Sequence, residues 1–538
     1  MDVATSPDLA KRSRSLALDV AWCGRAFALL AAVACAFAFV GLSSGSYWVD
    51  ELFTLYLIDH HGGFAEVVRR ALTDTHPPAY YLILYGWTQL FGVSEQATRS
   101  LSALCSVGAI GIFALASRRA FSAPARAFAA AAAGASNFWF FQSQDARNYG
   151  LGMLAISALV ALALQARTAA REGRSPGPAV VAGLFAAGIL ASLTHFYAFL
   201  ATGAVMGFLM LTIPQTRFRI VMAAAGAVIL ALELAYVRML LGHTQQDLHG
   251  TWFSNDPAFL LDELAHVVIR TLAPGTVAVL VIVLAARAMR RVGSVKRLPD
   301  AGWTAGLAGF GVLTVAGCGL LVSILFAPSL SDQNVMIAAP FLWALVAAGY
   351  DLGGPRPGRP WPAIAWLALV GLMAAQLAFV LPGRWMPRTE QWRTSAEAAA
   401  NLPGCRGQPA PAILPSRFAA PTPFYLEMFR RDFYGRYYPG PVQVYAQDAF
   451  TGPSPPPGLK AMLTRRVQDP AACPVLAWAA HDMNPDQATT FAQGLARTLA
   501  APPGAIRVWT FYDRRAQWLG FRRHPVAFLF LATRTSRR

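Results

Sequence analysis

Apolar stretches of about twenty residues recur along this chain, and the short loops between alternate stretches carry most of its arginines. No other feature narrows the fold so far. A stretch of that length crosses the hydrocarbon of a bilayer as one helix. Only helices or closed barrels satisfy every backbone polar group there. The candidate spans are 24–43, 98–117, 125–142, 148–166, 178–195, 197–213, 220–240, 266–287, 302–327, 334–351 and 361–382. Composition agrees. The chain has 538 residues, of which 55% are hydrophobic and 14% charged; a soluble domain carries about a quarter charged. So few charges cannot clothe a water-soluble surface of this size. The net charge of +17 would point to nucleic acid in a soluble protein. Here the cations sit between apolar runs, so the expected partner is a membrane and no nucleic acid is expected.

The same bias orients the chain. With the N-terminus in the cytoplasm, alternate loops hold Arg118, Arg119 and Arg126; then Arg167, Arg171 and Arg174; then Arg217 and Arg219; then a basic run from Arg287 to Arg297; then Arg356 and Arg359. Lys11, Arg12 and Arg14 precede the first run, which is too long for a signal core and reads as an uncleaved helix. Residues 79–92 are apolar but short, and counting them as a span would put every later basic loop outside. They read as a helix lying at the outer surface, in a first outer loop, 44–97, with two or three juxtamembrane helices.

After residue 382 the chain is richer in proline and charge. Short strand-like runs (PAILPS, VQVYAQ, PVLAWAA, IRVWTFY, AFLFLAT) alternate with helical patterns near 391–400, 421–435 and 485–499. The expected architecture is a polytopic α-helical membrane protein with about 11 transmembrane helices. It places a transmembrane domain over 1–382 and a soluble, extracytoplasmic α/β domain over 383–538. Cys405 and Cys473 fall in the latter, where an oxidising compartment permits a bridge and two free thiols are the alternative.

Four polar clusters fall on the outer side of this topology. Asp50 and Glu51 follow the first span, as first-turn acids of a juxtamembrane helix or as a base and metal-binding pair. His76 precedes Pro77 and Pro78, which suit the first turn of the next helix. Gln142, Gln144, Asp145, Arg147, Asn148 and Tyr149 crowd a tight turn between two spans, more polarity than a hairpin needs. Thr194, His195, Phe196 and Tyr197 lie between two more spans, as a functional element or as part of an aromatic belt. His60, His61, His243, Asp247 and His249 read as solvated surface, with metal ligation as the alternative, and Trp252 in the last loop could help close the site.

In this order the clusters resemble the C-type membrane glycosyltransferases, in the bacterial branch related to protein O-mannosyltransferases and the lipid A aminoarabinose transferase. The resemblance rests on Asp50–Glu51 after the first span; on His76, Pro77, Pro78, Tyr80 and Tyr81; on Ser143, Gln144, Asp145, Arg147 and Tyr149; on Thr194 to Tyr197; and on Gln391-Trp392-Arg393. It covers roughly residues 25–400. The chain departs from it at 331–335, where Gln333 stands at or near the place of an arginine in many relatives. Arg270 or Arg388 is the expected substitute cation.

That resemblance implies transfer of a sugar from a polyprenyl-phosphate donor to an acceptor hydroxyl on a lipid, glycan or protein, with inversion, at the outer face of a bacterial inner membrane. Within it, Asp50 is the expected base, Glu51 orients it, and Asp145 completes the catalytic set. His76, Arg147, Tyr149, His195, Tyr197 and Arg270 are expected on the donor. Asp50, Asp145 and His76 are the expected ligands of a divalent cation, Mg, Mn or Zn. Two rivals stand beside this reading. A transporter or flippase of lipid-linked sugars would need ionisable groups at mid-membrane, where Glu233 is the main exception to apolar spans. A receptor or scaffold would act through its outer domain alone.

Overall fold

A computed structural model describes residues 7–244, 254–267, 270, 300–353, 363–380, 390–416, 422–502, 504–513 and 525–533. The chain divides into two compact units. One holds Met1–Val40, His60–Gly92 and Ala97–Pro382; the other holds Gly41–Asp59, Val93–Gln96 and Gly383–Arg538.

The first unit is helical. Its described elements include α1 (Pro7–Phe37), α3 (Gly63–Leu72), α4 (Ala79–Phe91), most of α5 (Glu95–Ala116), α6 (Ala123–Gly134), α7 (Asn137–Gln142), α8 (Tyr149–Arg171), α9 (Pro178–Ser192), α10 (Phe196–Thr212) and α11 (Thr216–Thr244). Helices Ala301–Leu325, Asp332–Met336, Ala339–Gly353 and Ala363–Val380 follow. Among the described residues, four helices are long and apolar enough to cross a membrane: Glu95–Arg119, Tyr149–Arg171, Thr216–Leu240 and Ala301–Leu325. Shorter apolar helices include Gly24–Phe37, Pro178–Ser192, Phe196–Thr212 and Leu367–Ala378. Alanine-rich faces of α1 and α6 pack closely, with Ala34, Ala129 and Ala133 fully buried around Phe27 and Phe128.

Two expected spans are not single helices. Residues 125–142 divide into α6 and α7, because Ser136 caps α7 by accepting from the Trp139 N–H at 3.3 Å. Residues 334–351 divide between Asp332–Met336 and Ala339–Gly353, the second helix having Pro340 in its first turn. The expected span 266–287 lies almost wholly outside the described residues, as do Asp247, His249, Trp252 and Arg388.

The second unit holds α2 (Val49–Leu57) and a five-stranded sheet. Its strands are β1 (Ala410–Ile413), β2 (Val442–Tyr445), β3 (Val475–Ala479), β4 (Ile506–Tyr512) and β5 (Pro525–Ala532), in the order β2-β1-β3-β5-β4. β1 runs parallel to β2 and β3, whereas β5 is antiparallel to β3 and β4. Every residue of β3 is buried, as a central strand covered on both faces must be. Trp392, Phe429, Phe433, Tyr434 and Trp478 form an aromatic core, and Phe53 of α2 packs edge-on against Phe433 at 5.1 Å. A π-turn over Phe429–Tyr434 ends at Gly435, where a Cβ would stand 2.3 Å from the Arg430 carbonyl oxygen. Cys405 and Cys473 are disulfide-bonded, which settles the two alternatives. A loop of 68 residues closed this way stabilises by about 4 kcal/mol in the chain-entropy account.

Candidate functional site

Three loops of the first unit meet at one end of its helices. The loop before α4 is shaped by Asp74, whose Oδ2 accepts from the His76 N–H at 3.1 Å and from the Tyr81 hydroxyl at 2.6 Å. The first bond is an Asx turn, the local preference of an aspartate two residues ahead of its partner. Tyr236 of α11 donates to the Asp74 carbonyl at 2.5 Å. The loop before α8 is held by Tyr80 through Ser102. The Ser102 hydroxyl donates to the Arg147 carbonyl at 3.2 Å and lies 2.9 Å from the Tyr80 hydroxyl. Ser102 has one hydrogen, so Tyr80 is the donor in that second bond. The loop before α10 joins both others. The Ala79 N–H donates to the Leu193 carbonyl at 2.8 Å, and the Asn148 amide donates to the Thr194 carbonyl at 2.9 Å.

These ties bring the functional side chains together. The His76 and His195 rings stand 5.1 Å apart, and Tyr149 lies 5.7 Å from His195. The Arg147 guanidinium is close enough to act on His76, Tyr81 and His195. Asp145 and Arg147 are each 6% exposed and share a tight turn, the Arg147 N–H donating to the Asp145 carbonyl at 2.7 Å. The Tyr149 hydroxyl reaches Gln333 at 3.4 Å, and the Tyr197 hydroxyl lies 3.3 Å from that of Ser329.

The imidazoles are neutral donors and acceptors here. His76 keeps some accessible surface, yet desolvation, with Arg147 beside it, pulls its pKa down to about 3. His195 caps α10, its Nδ1 accepting from the Tyr197 N–H at 3.0 Å. The proton of a neutral ring is therefore on Nε2, which makes no well-formed hydrogen bond among the described residues. A guanidinium, an Nε2–H donor and a phenol are the kinds of group that bind oxyanions.

Asp50 and Glu51 belong to the second unit. Glu51 is fully buried and closes the start of α2 by accepting from the Trp48 N–H at 3.1 Å. Asp50 is half-buried in the same first turn. Within this unit Arg393 pairs with Glu95 and donates to the Ser43 carbonyl at 3.1 Å.

No protein-family model matches the chain, and no curated protein matches it. Solved structures do match. The chain is similar to ArnT from Cupriavidus metallidurans bound to undecaprenyl phosphate, with a TM-score of 0.51 and 15% identity over 94% of this chain and 98% of that one. The apo form of ArnT gives 0.52 and 14%, covering 93% and 97%. The arabinofuranosyltransferase AftD from mycobacteria gives 0.45 and 16%, with 40% of that chain covered. The chain shares the fold of ArnT.

Elsewhere in the first unit Arg270 forms an ion pair with Asp332 at 2.6 Å. The Asp332 N–H in turn donates to Glu263 at 2.5 Å. Burial pushes both carboxyls up, and Arg270 opposes the rise. Asp262, Glu263 and His266 present ligand atoms within 4.8 Å of one another, a donor set that could hold a metal ion. Sequence reasoning passed over Asp74, Ser102 and Tyr236. Asp74 had a local signal in its spacing to His76. Ser102 and Tyr236 had none, being single polar residues in apolar helices.

Proposed function

We propose that this chain transfers a sugar from a polyprenyl-phosphate donor to an acceptor hydroxyl on a lipid, glycan or protein, with inversion, at the outer face of the inner membrane. The observation that carries the reading is the meeting of three loops from separate parts of the sequence, which bear His76, Arg147 with Tyr149, and His195. The fold shared with ArnT bound to undecaprenyl phosphate supports it.

The leaving group in such a transfer is a phosphate, which needs its charge met more than it needs a proton. Arg147 supplies the charge, and His195 Nε2–H and the Tyr149 hydroxyl supply donors to its oxygens. Asp50 takes the proton of the acceptor hydroxyl as it attacks the anomeric carbon. Glu51 fixes the start of α2 and so the place of Asp50. Asp145, Asp50 and His76 are the residues that would hold a divalent cation of the Mg, Mn or Zn class. His76 suits this, because a neutral imidazole has a lone pair to give. Such a cation, when bound, adds charge against the phosphate.

The topology that accompanies this reading has about eleven spans, a cytoplasmic N-terminus and the region after 383 outside. The second unit supports it. Gly41–Asp59, Val93–Gln96 and the C-terminal region share one compact body, as segments on one side of a membrane would. Residues 60–92 then cross the membrane an even number of times, as a surface-lying α4 requires. The stretch from 97 to 390 also crosses an even number of times, and ten of the eleven expected spans fall there. The disulfide supports an oxidising side.

A transporter is the second reading, favoured by Glu233. This residue is 3% exposed in α11, and neither carboxylate oxygen has a hydrogen-bond partner among the described residues. One pair of variants separates the readings. In proteoliposomes with a lipid-linked sugar, transfer requires that Asp50→Asn be inactive and Glu233→Gln active. Proton-driven transport requires the reverse. Wild-type turnover by Asp50→Asn removes the base.

A further inference from the structure

Helices α5 and α8 touch at one end and part at the other. Near the candidate site a Cβ on Gly150 would lie 2.8 Å from the Ser102 carbonyl oxygen, and one on Gly108 would lie 3.1 Å from Leu154. Beyond that contact the helices open into a cleft of about 440 Å³. Its apolar walls include Ile112, Leu115 and Leu164, and its mouth carries Arg118, Arg119 and Gln165. Leu115 is 73% exposed. Among the described residues neither Arg118 nor Arg119 makes a hydrogen bond or ion pair. Glu172, near enough to Arg119 to interact, is bonded to Arg174.

The cleft is remote from the candidate site. Leu115 follows Ser102 by thirteen residues and Gln165 follows Tyr149 by sixteen. At 1.5 Å per residue both walls place it about 20–25 Å along the helices. A hydrocarbon core is about 30 Å thick. A lipid in this cleft therefore sits in the leaflet opposite the one that serves the site.

We propose that the cleft binds an anionic glycerophospholipid, its phosphate held by Arg118 and Arg119 and its acyl chains laid against Ile112, Leu115 and Leu164. The charge decides the occupant. Among the described residues these two guanidiniums form no ion pair and stand beside exposed leucine, and a molecule joining an anion to hydrocarbon satisfies both. Basic pockets between membrane helices take phospholipid headgroups on this principle. The volume suits a headgroup and the first methylenes, the rest of each tail staying in the bilayer. The inference stands whether or not the site transfers sugar.

The test is native mass spectrometry of the full chain in a neutral detergent, titrated with phosphatidylglycerol or phosphatidylcholine. Wild type should retain phosphatidylglycerol in preference. Arg118→Gln with Arg119→Gln should weaken that binding by about thirtyfold, and Leu115→Glu should weaken it by placing an anion at the mouth. Arg217→Gln with Arg219→Gln removes the same charge elsewhere and should leave it unchanged. Equal retention of the two lipids, or equal loss in the control pair, overturns the proposal. So does full displacement by inorganic phosphate, which would make the site one for a free anion. Unchanged lipid binding with loss of a dimer in the Arg118/Arg119 variant would assign the cleft to a second copy, and overturns it too.

Discussion

The two ends of the α5–α8 pair hold arginines in opposite ways. At one end Arg147 is buried, and its loop is tied to α5, through Ser102 to α4, and to the start of α10 by bonds of 2.9–3.2 Å. At the other, Arg118 and Arg119 are exposed beside apolar walls. A group that stabilises charge in a transition state must be pre-organised, so that nothing reorganises as charge develops. A group that greets lipid needs reach and no fixed partner. The same residue type serves either use, and the surrounding hydrogen bonds decide which.

The comparison can be broken at its tied end. Arg147→Ala should lower transfer by about 10²–10³-fold, the usual effect of removing one charge-stabilising donor; a steady-state assay at saturating donor checks this. Retained turnover would reduce Arg147 to an anchor. Gly150→Ala should cost about 1–3 kcal/mol, because the new Cβ meets a backbone oxygen of α5 that cannot move alone. Thermal unfolding in detergent reads it, with a lowered turnover as the loop shifts. Tyr80→Phe removes one hydroxyl of the Tyr80–Ser102–Arg147 chain and should cost about 1 kcal/mol. Hydrogen exchange should show residues 143–150 losing protection in that variant while residues 116–122 stay unchanged.

The smallest effect is in pH. His76 is neutral in the folded protein down to about pH 3, whereas an unfolded histidine takes its proton near 6.5. Between those values the unfolded state binds more protons, so stability falls as pH falls. His76→Gln should flatten part of that slope, measured as the shift of the unfolding midpoint between pH 7 and pH 5. An unchanged slope would mean that His76 takes up its proton on acidification without resistance.

Much of this molecule could be read from local pattern. Burial is a local demand, so hydropathy found the long helices, and period-two runs found all five strands, from PAILPS to AFLFLAT. The clusters at His76, Arg147, Tyr149 and His195 stood out because polar groups beside spans are expensive. Local pattern failed where one residue ended a helix inside an apolar run, as Ser136 does between α6 and α7. It also left α2 without a home, since nothing in SGSYWVDELF says that Phe53 packs against Phe433.

The sequence by itself determined that the chain lives in a membrane, which segments are helix or strand, and which polar residues merit attention. Each of these follows from side-chain solvation over a window of a few turns. Tertiary structure alone decided that His76 faces His195, that Ser102 ties Tyr80 to Arg147, that Gln333 meets Tyr149, and that Cys405 bridges to Cys473. Those partners lie 22 to 184 residues apart, and a contact at that separation exists only once packing has brought the helices together.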